Sequence, residues 1–154
     1  MRGYAIVAGG LGLVVVSAAV VIASRWGQIS GGPLEVIGVL LLELGPISKL
    51  AALMSVGLVV GAIAAASTQL GRSNSPADMG LLRLLALVAP LPGISAAALD
   101  AYTIHAAAQR IGDVSFAVVA PSVAGAALMA GAGLFSGALA AAAYAVVAGR
   151  NRSA

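Results

Sequence analysis

The sequence predicts an all-α membrane protein with four transmembrane helices and one short interfacial helix. Of its 154 residues, 61% are hydrophobic and only 8% are charged, which lies far outside the usual composition of water-soluble domains. Residues 81–147 contain only four fully charged side chains, those of Arg83, Asp100, Arg110 and Asp113. Four apolar stretches are long enough to cross the ~30 Å hydrocarbon layer of a bilayer as helices.

The first predicted span covers residues 4–23 behind a single Arg2. Val21-Ile22-Ala23 before Ser24 also permits a cleavable signal peptide. The apolar region is longer than the roughly 7–15 residues typical of signal peptides, which favours a retained helix.

A short apolar segment, residues 33–44, begins with Pro33 and is followed by Gly45-Pro46. Proline at a helix start and glycine at its end are typical of helix boundaries. Because this segment is too short to cross lipid, we expect an interfacial or re-entrant helix.

The remaining predicted spans are residues 47–67, 80–109 and 114–147, so residues 1–154 are expected to form a single transmembrane domain. As helices, the last two spans would be about 45 and 51 Å long. Both exceed the hydrocarbon thickness, so they must tilt, bend or project beyond the membrane.

The distribution of positive charge predicts the orientation. With the amino terminus inside, five arginines fall on the cytoplasmic side: Arg2, Arg72, Arg83, Arg150 and Arg152. Three basic residues fall outside: Arg25, Lys49 and Arg110. This excess of positive charge predicts that both termini lie inside, in the cell inner (plasma) membrane.

Several classes of function have no support in the sequence. The chain has no cysteine and one histidine, and it contains no phosphate-binding glycine loop and no nucleophile with a base at usable spacing. We therefore expect no enzyme activity, cofactor or metal site. The basic residues are scattered rather than clustered on one face, which favours membrane lipid over nucleic acid as a partner.

Small residues recur at four-residue spacing in two spans. Gly57, Gly61 and Ala65 follow this spacing in the second span. The fourth span has a longer series: Gly133, Gly137, Ala141 and Ala145. Such series let helix backbones approach closely in lipid. For the second span, chance in an Ala- and Gly-rich helix explains the spacing equally well, whereas the fourth is expected to form a packing seam within a multi-helix assembly.

Two blocks in the last two spans resemble the MotA/TolQ/ExbB family of ion-driven motor channels. The first contains Ala89-Pro90-Leu91-Pro92-Gly93-Ile94, against the family pattern A-P-x-x-G-L-x-G-T-V-x-G. The second contains Val119-Ala120-Pro121 and Gly133-Leu134, against V-A-P-G-I-A-E-A-L-x-A-T-A-x-G-L. The resemblance covers about residues 85–147. It implies a homo-oligomeric ring, a pentamer, around a single-span partner of the ExbD/TolR/MotB type.

The chain departs from the family at several motif positions. The family threonines fall on Ala97 and Ala130, two family glycines fall on Ala96 and Asp100, and the family glutamate falls on Gly125. The threonine hydroxyls line the ion path in the family, so their loss puts ordinary proton conduction in doubt. The family's large cytoplasmic insertion is reduced to residues 68–79, with a short polar loop at 71–76, which makes a contact with a flagellar rotor improbable. The resemblance places Ala97, Asp100, Ala130 and Gly133 at the lumen.

Asp100 is the main candidate functional residue, because charged groups at membrane depth are costly and mark functional sites by default. It lies one helical turn from Ala97 and one turn from Thr103 on the same face. We hypothesise that Asp100 is a protonatable site in a wet cavity, with Thr103 as a hydroxyl relay. The alternative is a structural carboxyl that is hydrogen-bonded in the bundle or wetted near the interface.

Other ionisable residues support weaker hypotheses. The spacing groups His105 with Tyr102 and Gln109 and excludes a pair with Asp100, so a solvated side chain is expected. Glu35 and Glu43 flank the short helix and could bind a cation, although a solvated face is the simpler interpretation.

The sequence thus predicts a subunit of a proton channel complex that couples ion flow to motion of the partner. A non-conducting structural subunit of a larger membrane complex is the alternative, favoured by the loss of both threonines. A small transporter acting alone is supported only by Asp100.

Overall fold

The computed structural model describes residues 1–26, 32–71, 76–112 and 115–150, and these ranges contain six helices and no strand. The helices are α1 (Arg2–Trp26), α2 (Pro33–Glu43), α3 (Pro46–Gly71), α4 (Pro76–Val88), α5 (Leu91–Ile111) and α6 (Phe116–Arg150). Four stretches are long and apolar enough to cross a membrane: Gly3–Arg25, Pro46–Leu70, Met79–Ile111 and Phe116–Arg150. The all-α membrane fold is therefore confirmed.

The third span is not one continuous helix, as the expected range of 80–109 implied. It consists of α4 and α5, which are joined at Ala89-Pro90. Pro90 and Pro92 lack a backbone N–H and disfavour helical geometry in the residue before them, so the helix breaks here. Ser136 of α6 satisfies a carbonyl at the break, because its Oγ donates to the carbonyl oxygen of Ala89 at 2.8 Å.

Prolines mark the start of other helices in the sequence. Helix α2 starts at Pro33 and ends at Glu43, and Leu44 then adopts an extended conformation with ψ 140°. Residues 72–75 of the expected polar loop lie outside the described residues, as does Asp113.

Helix α6 is the centre of the bundle and contacts each of the other five helices. Helix α1 runs antiparallel to it, with Gly9 near Ala138 at one level and Ala23 clustered with Ala124 at another. Helix α3 runs parallel to α6. Near the end of both helices, Nη1 of Arg150 donates to the Leu70 carbonyl oxygen at 2.6 Å.

The closest helix contact joins α5 to α6. A Cβ placed on Gly93 would lie 2.6 Å from both the Cα of Gly133 and the carbonyl oxygen of Met129. A Cβ placed on Gly133 would lie 2.8 Å from the Pro90 carbonyl oxygen, and one on Gly137 would lie 3.1 Å from the Pro90 ring. At Gly93 and Gly133, backbones this close leave room only for hydrogen, whereas a methyl group at Gly137 would require a small shift of the Pro90 ring.

Gly57 and Gly61 are in a different environment. A Cβ on either residue would have no other atom within 4 Å, so they form no seam inside the described part of this chain. Contact between these residues and another protein chain stays a prediction.

The turn between α5 and α6 marks one side of the bundle, which we call the hairpin side. Helix α1 ends and helix α3 begins on this side, so Arg25, Lys49 and Arg110 lie toward it. Arg83 and Arg150 lie toward the opposite side, which is the division that the charge distribution predicts. Which side faces the cytoplasm stays a prediction.

We expect the substitution Gly93→Ala to destabilise the protein by about 1–3 kcal/mol, because the added methyl group must separate the backbones of α5 and α6. Unfolding in mixed micelles, followed by circular dichroism, measures the change. Gly61→Ala is the matched control, and we expect it to be neutral or stabilising by up to about 1 kcal/mol, since alanine favours helix and the site is open. Equal stability of the two variants would contradict a tight backbone contact between α5 and α6 at Gly93.

Candidate functional site

Asp100 is fixed by a contact between α5 and α3. Its Oδ2 accepts a hydrogen bond from the Oγ of Ser48 at 2.9 Å. Ser48 is buried, with 1% of its surface exposed, whereas Asp100 is half-buried. A carboxyl that accepts a hydrogen bond from a buried hydroxyl has a defined orientation, so Asp100 is not a freely rotating surface group.

Asp100 lines a cavity of about 190 Å³ between α5, α6 and the turn from α2 to α3. The lining residues are Leu40, Glu43, Leu44, Gly45, Asp100, Thr103, Ile104, Pro121, Ser122 and Gly125. Several of these, including Glu43, Thr103 and Ser122, are exposed, so the cavity is continuous with the surface. It is polar enough and large enough to hold several water molecules.

Two carboxylates and two hydroxyls provide the polar surface of the cavity: Asp100, Glu43, Thr103 and Ser122. The Oγ1 of Thr103 donates to the backbone carbonyl oxygen of Asp100 at 2.8 Å. Thr103 therefore lies where the sequence placed it, but its hydroxyl proton is directed at the backbone rather than at the carboxylate. A relay role for Thr103 stays a prediction.

An apolar cluster closes the cavity toward the middle of the span. Leu44 lines the cavity and packs with Ala51, Ala96 and Met129. Ala96 lies one helical turn from Asp100 on α5, away from the hairpin side. On this side, the cavity therefore ends at apolar side chains.

The other residues expected at the lumen lie elsewhere. Ala97 is half-buried and packs against the apolar cluster just named, and Ala130 is half-buried on α6 outside the cavity lining. Gly133 is buried between α5 and α6 and has no free surface for a lumen.

His105 lies apart from this cavity. Its Nε2 is 2.9 Å from the Nε2 of Gln109 on the exposed surface of α5, which confirms the predicted grouping of these two residues. His105 also borders a shallow groove of about 350 Å³, lined mainly by alanine, valine and isoleucine. The groove lies in an apolar part of the span and suits lipid hydrocarbon.

The sequence did not identify Ser48 and Ser122 as parts of the site. Ser48 lies in the first turn of an apolar span, and Ser122 follows the proline in α6. A serine in an apolar span is a possible hydrogen-bond partner for a membrane-embedded acid. Only the packing of α3 on α5 shows that Ser48 contacts Asp100. Among the described residues, no group of three or more histidine, cysteine, aspartate or glutamate side chains could hold a metal ion.

Comparisons with known proteins give no match for this chain among family models, curated proteins or solved structures. The resemblance to the MotA/TolQ/ExbB family therefore rests on the two sequence blocks alone.

A double-mutant cycle tests the contact between Ser48 and Asp100. Hydrogen bonds to charged groups contribute about 1.5–3 kcal/mol in water-soluble proteins, while interhelical ones in membranes average about 0.6 kcal/mol. We expect a coupling energy of about 1 kcal/mol between Ser48→Ala and Asp100→Ala, each of which removes one partner of the bond, measured as free energies of unfolding in mixed micelles.

Ser55 provides the control for this cycle. Its Oγ donates to the Ala51 carbonyl oxygen within its own helix, so Ser55→Ala should couple to Asp100→Ala by no more than about 0.3 kcal/mol. A coupling of the same size in both cycles would contradict a specific bond between Ser48 and Asp100.

Proposed function

We propose that this protein is an ion-channel subunit of the MotA/TolQ/ExbB type, in which Asp100 is the protonatable group. The observation that carries the proposal is the carboxyl of Asp100, which lies in the third transmembrane stretch, lines a polar cavity large enough for several water molecules and is oriented by Ser48. Lipid-exposed acids are strongly disfavoured, whereas acids in wet cavities are typical of proton and ion pathways.

A single chain is insufficient for this function, because the cavity ends on the cluster of Leu44, Ala51, Ala96 and Met129. A pathway through the membrane needs a further surface, which a neighbouring copy or a partner helix could supply. The family resemblance favours a homo-oligomeric ring, a pentamer, around a single-span helix of the ExbD/TolR/MotB type. In that arrangement ion flow drives motion of the partner helix.

The predicted orientation decides the side of the membrane on which the cavity would open. The predicted orientation has both termini on the cytoplasmic side of the inner membrane, so the hairpin side and its cavity would face the outside. Protons entering from outside would then reach Asp100 first.

A non-conducting structural subunit is the second candidate function. Ala97 and Ala130 replace the threonines of the family, and Gly133 is locked against Pro90 and Gly93. These features favour rigid packing over an ion path where α5 and α6 are in close contact. This candidate retains the packing of the bundle but gives Asp100 only a structural role.

Purification from native membranes in mild detergent, followed by native mass measurement, distinguishes the two candidates. We expect several copies of this chain with a second, single-span chain, because the cavity needs a further wall. A lone monomer or dimer would contradict the ring, and a larger assembly of unrelated subunits would favour the structural role.

Proton flux in liposomes tests the role of Asp100 in the purified complex. We expect Asp100→Asn to lower the flux, read with an internal pH-sensitive dye, by about tenfold or more, since the amide cannot bind and release the transported proton. Glu35→Gln is the control, because it makes the same chemical change on the exposed first turn of α2, away from the cavity lining. Unchanged flux in Asp100→Asn would overturn the proposed role.

A further inference from the structure

The turn between α2 and α3 lies well below the end of the α5–α6 hairpin. Asp100 is eleven residues from the end of α5 at Ile111, which corresponds to about 16 Å along the helix. Its partner Ser48 is only the third residue of α3. Helix α3 therefore begins close to the level of Asp100, and α5 and α6 extend beyond it toward the hairpin side.

Helix α2 borders this space on one side, because Leu40 and Glu43 line the cavity. Val36 and Leu40 of α2 pack against the ends of α1 and α6, in a cluster with Ala19 and Ala124. The chain then passes through the extended Leu44 and the exposed Gly45 before α3 starts. Non-helical backbone inside a membrane protein requires burial or a water-filled cavity, and Gly45 lines the cavity.

The charge of the cavity is of one sign. Glu43 and Asp100 are both in the lining, and none of the described lining residues is basic. The carboxyl-terminal end of α2 adds partial negative charge at the same place. Lys49 follows Ser48 on an exposed face of α3, outside the lining. Glu43 is exposed and Asp100 is half-buried, so Glu43 lies nearer the surface.

We propose that this cavity is a water-filled, cation-selective vestibule that opens on the hairpin side, with Glu43 at its mouth and Asp100 at its inner end. Its occupants are water and small cations, and the negative potential at the mouth excludes anions. This inference deepens the proposed function by adding an access route and a selectivity residue, but the vestibule can be tested without any ion conduction.

The absence of cysteine from the chain permits a clean labelling experiment. Ser122→Cys places one thiol in the cavity, and the probes are a trimethylammonium-ethyl and a sulfonato-ethyl methanethiosulfonate. Each labelling rate is divided by the rate of the same reagent with mercaptoethanol. We expect the cationic reagent to react about tenfold faster than the anionic one, because a cleft of one charge concentrates counter-ions. We expect Glu43→Gln to lower that ratio severalfold and Glu35→Gln to leave it unchanged.

Two further cysteine variants control for side and depth in sealed vesicles. Ser115→Cys, at the α5–α6 turn, marks the hairpin side, and Ser122→Cys should react only from that same side. Leu99→Cys, next to Asp100 but on an outward-facing surface that does not line the cavity, should not react.

The proposal is overturned if folded Ser122→Cys protein resists both reagents, reacts from the opposite side, or shows a charge preference that Glu43→Gln does not change. If the labelling results are as expected and the complex conducts no protons, the vestibule stands and the proposed channel function fails. Circular dichroism and monodisperse elution confirm folding of each variant before labelling.

Discussion

The close backbone contact between α6 and the break at Ala89-Pro90 determines how α5 is held against the rest of the bundle. Glycines at positions 93, 133 and 137 bring the two backbones together, and Ser136 satisfies the carbonyl of Ala89 at the break. Because α5 is held against α6 in this way, Asp100 meets the first turn of α3. The polar site therefore depends on an apolar contact about two helical turns away.

The cavity gives access to Asp100 from one end but does not by itself form a passage across the membrane. The cavity at Asp100 is open at one end and closed by the cluster around Leu44 and Met129 at the other. Asp100 therefore borders the open cavity on one side and lies one helical turn from the apolar cluster on the other. A route from this cavity to the other side of the membrane would need another chain or a rearrangement of the cluster. This requirement is consistent with the ring assembly that we propose.

Much of the fold was predictable from composition and from the prolines and glycines that mark helix ends. Hydrophobicity identified the four membrane stretches, and Pro33 and Gly45-Pro46 identified the bounds of α2. The break in the third span was less accessible, because the segment at Ala89-Pro90 also fits the family motif and lies inside a continuous apolar stretch. At the site, Asp100 and Thr103 could be placed on one face by helical spacing. Their partners could not, since Ser48 is 52 residues from Asp100 in the chain and only tertiary packing unites them.

The glycine series show the same limit in another way. The spacing in α3 and the spacing in α6 look alike in the sequence, yet Gly133 is in tight contact and Gly57 faces open space. Helical spacing defines a face of small residues, but it contains no information on which neighbour covers that face. The shape of the neighbouring helix determines which glycine face is covered. For α6, that neighbour is the proline-containing start of α5.

The composition of the α5–α6 seam has a thermodynamic consequence. Glycine, alanine and proline have no side-chain rotamers to lose, so burying them costs essentially no side-chain conformational entropy. Van der Waals contact can then favour association without an opposing loss of side-chain freedom. The two surfaces that meet in the seam are already rigid while the helices are apart. The fit between them therefore depends on the shape of the backbones and not on side chains that become ordered on folding.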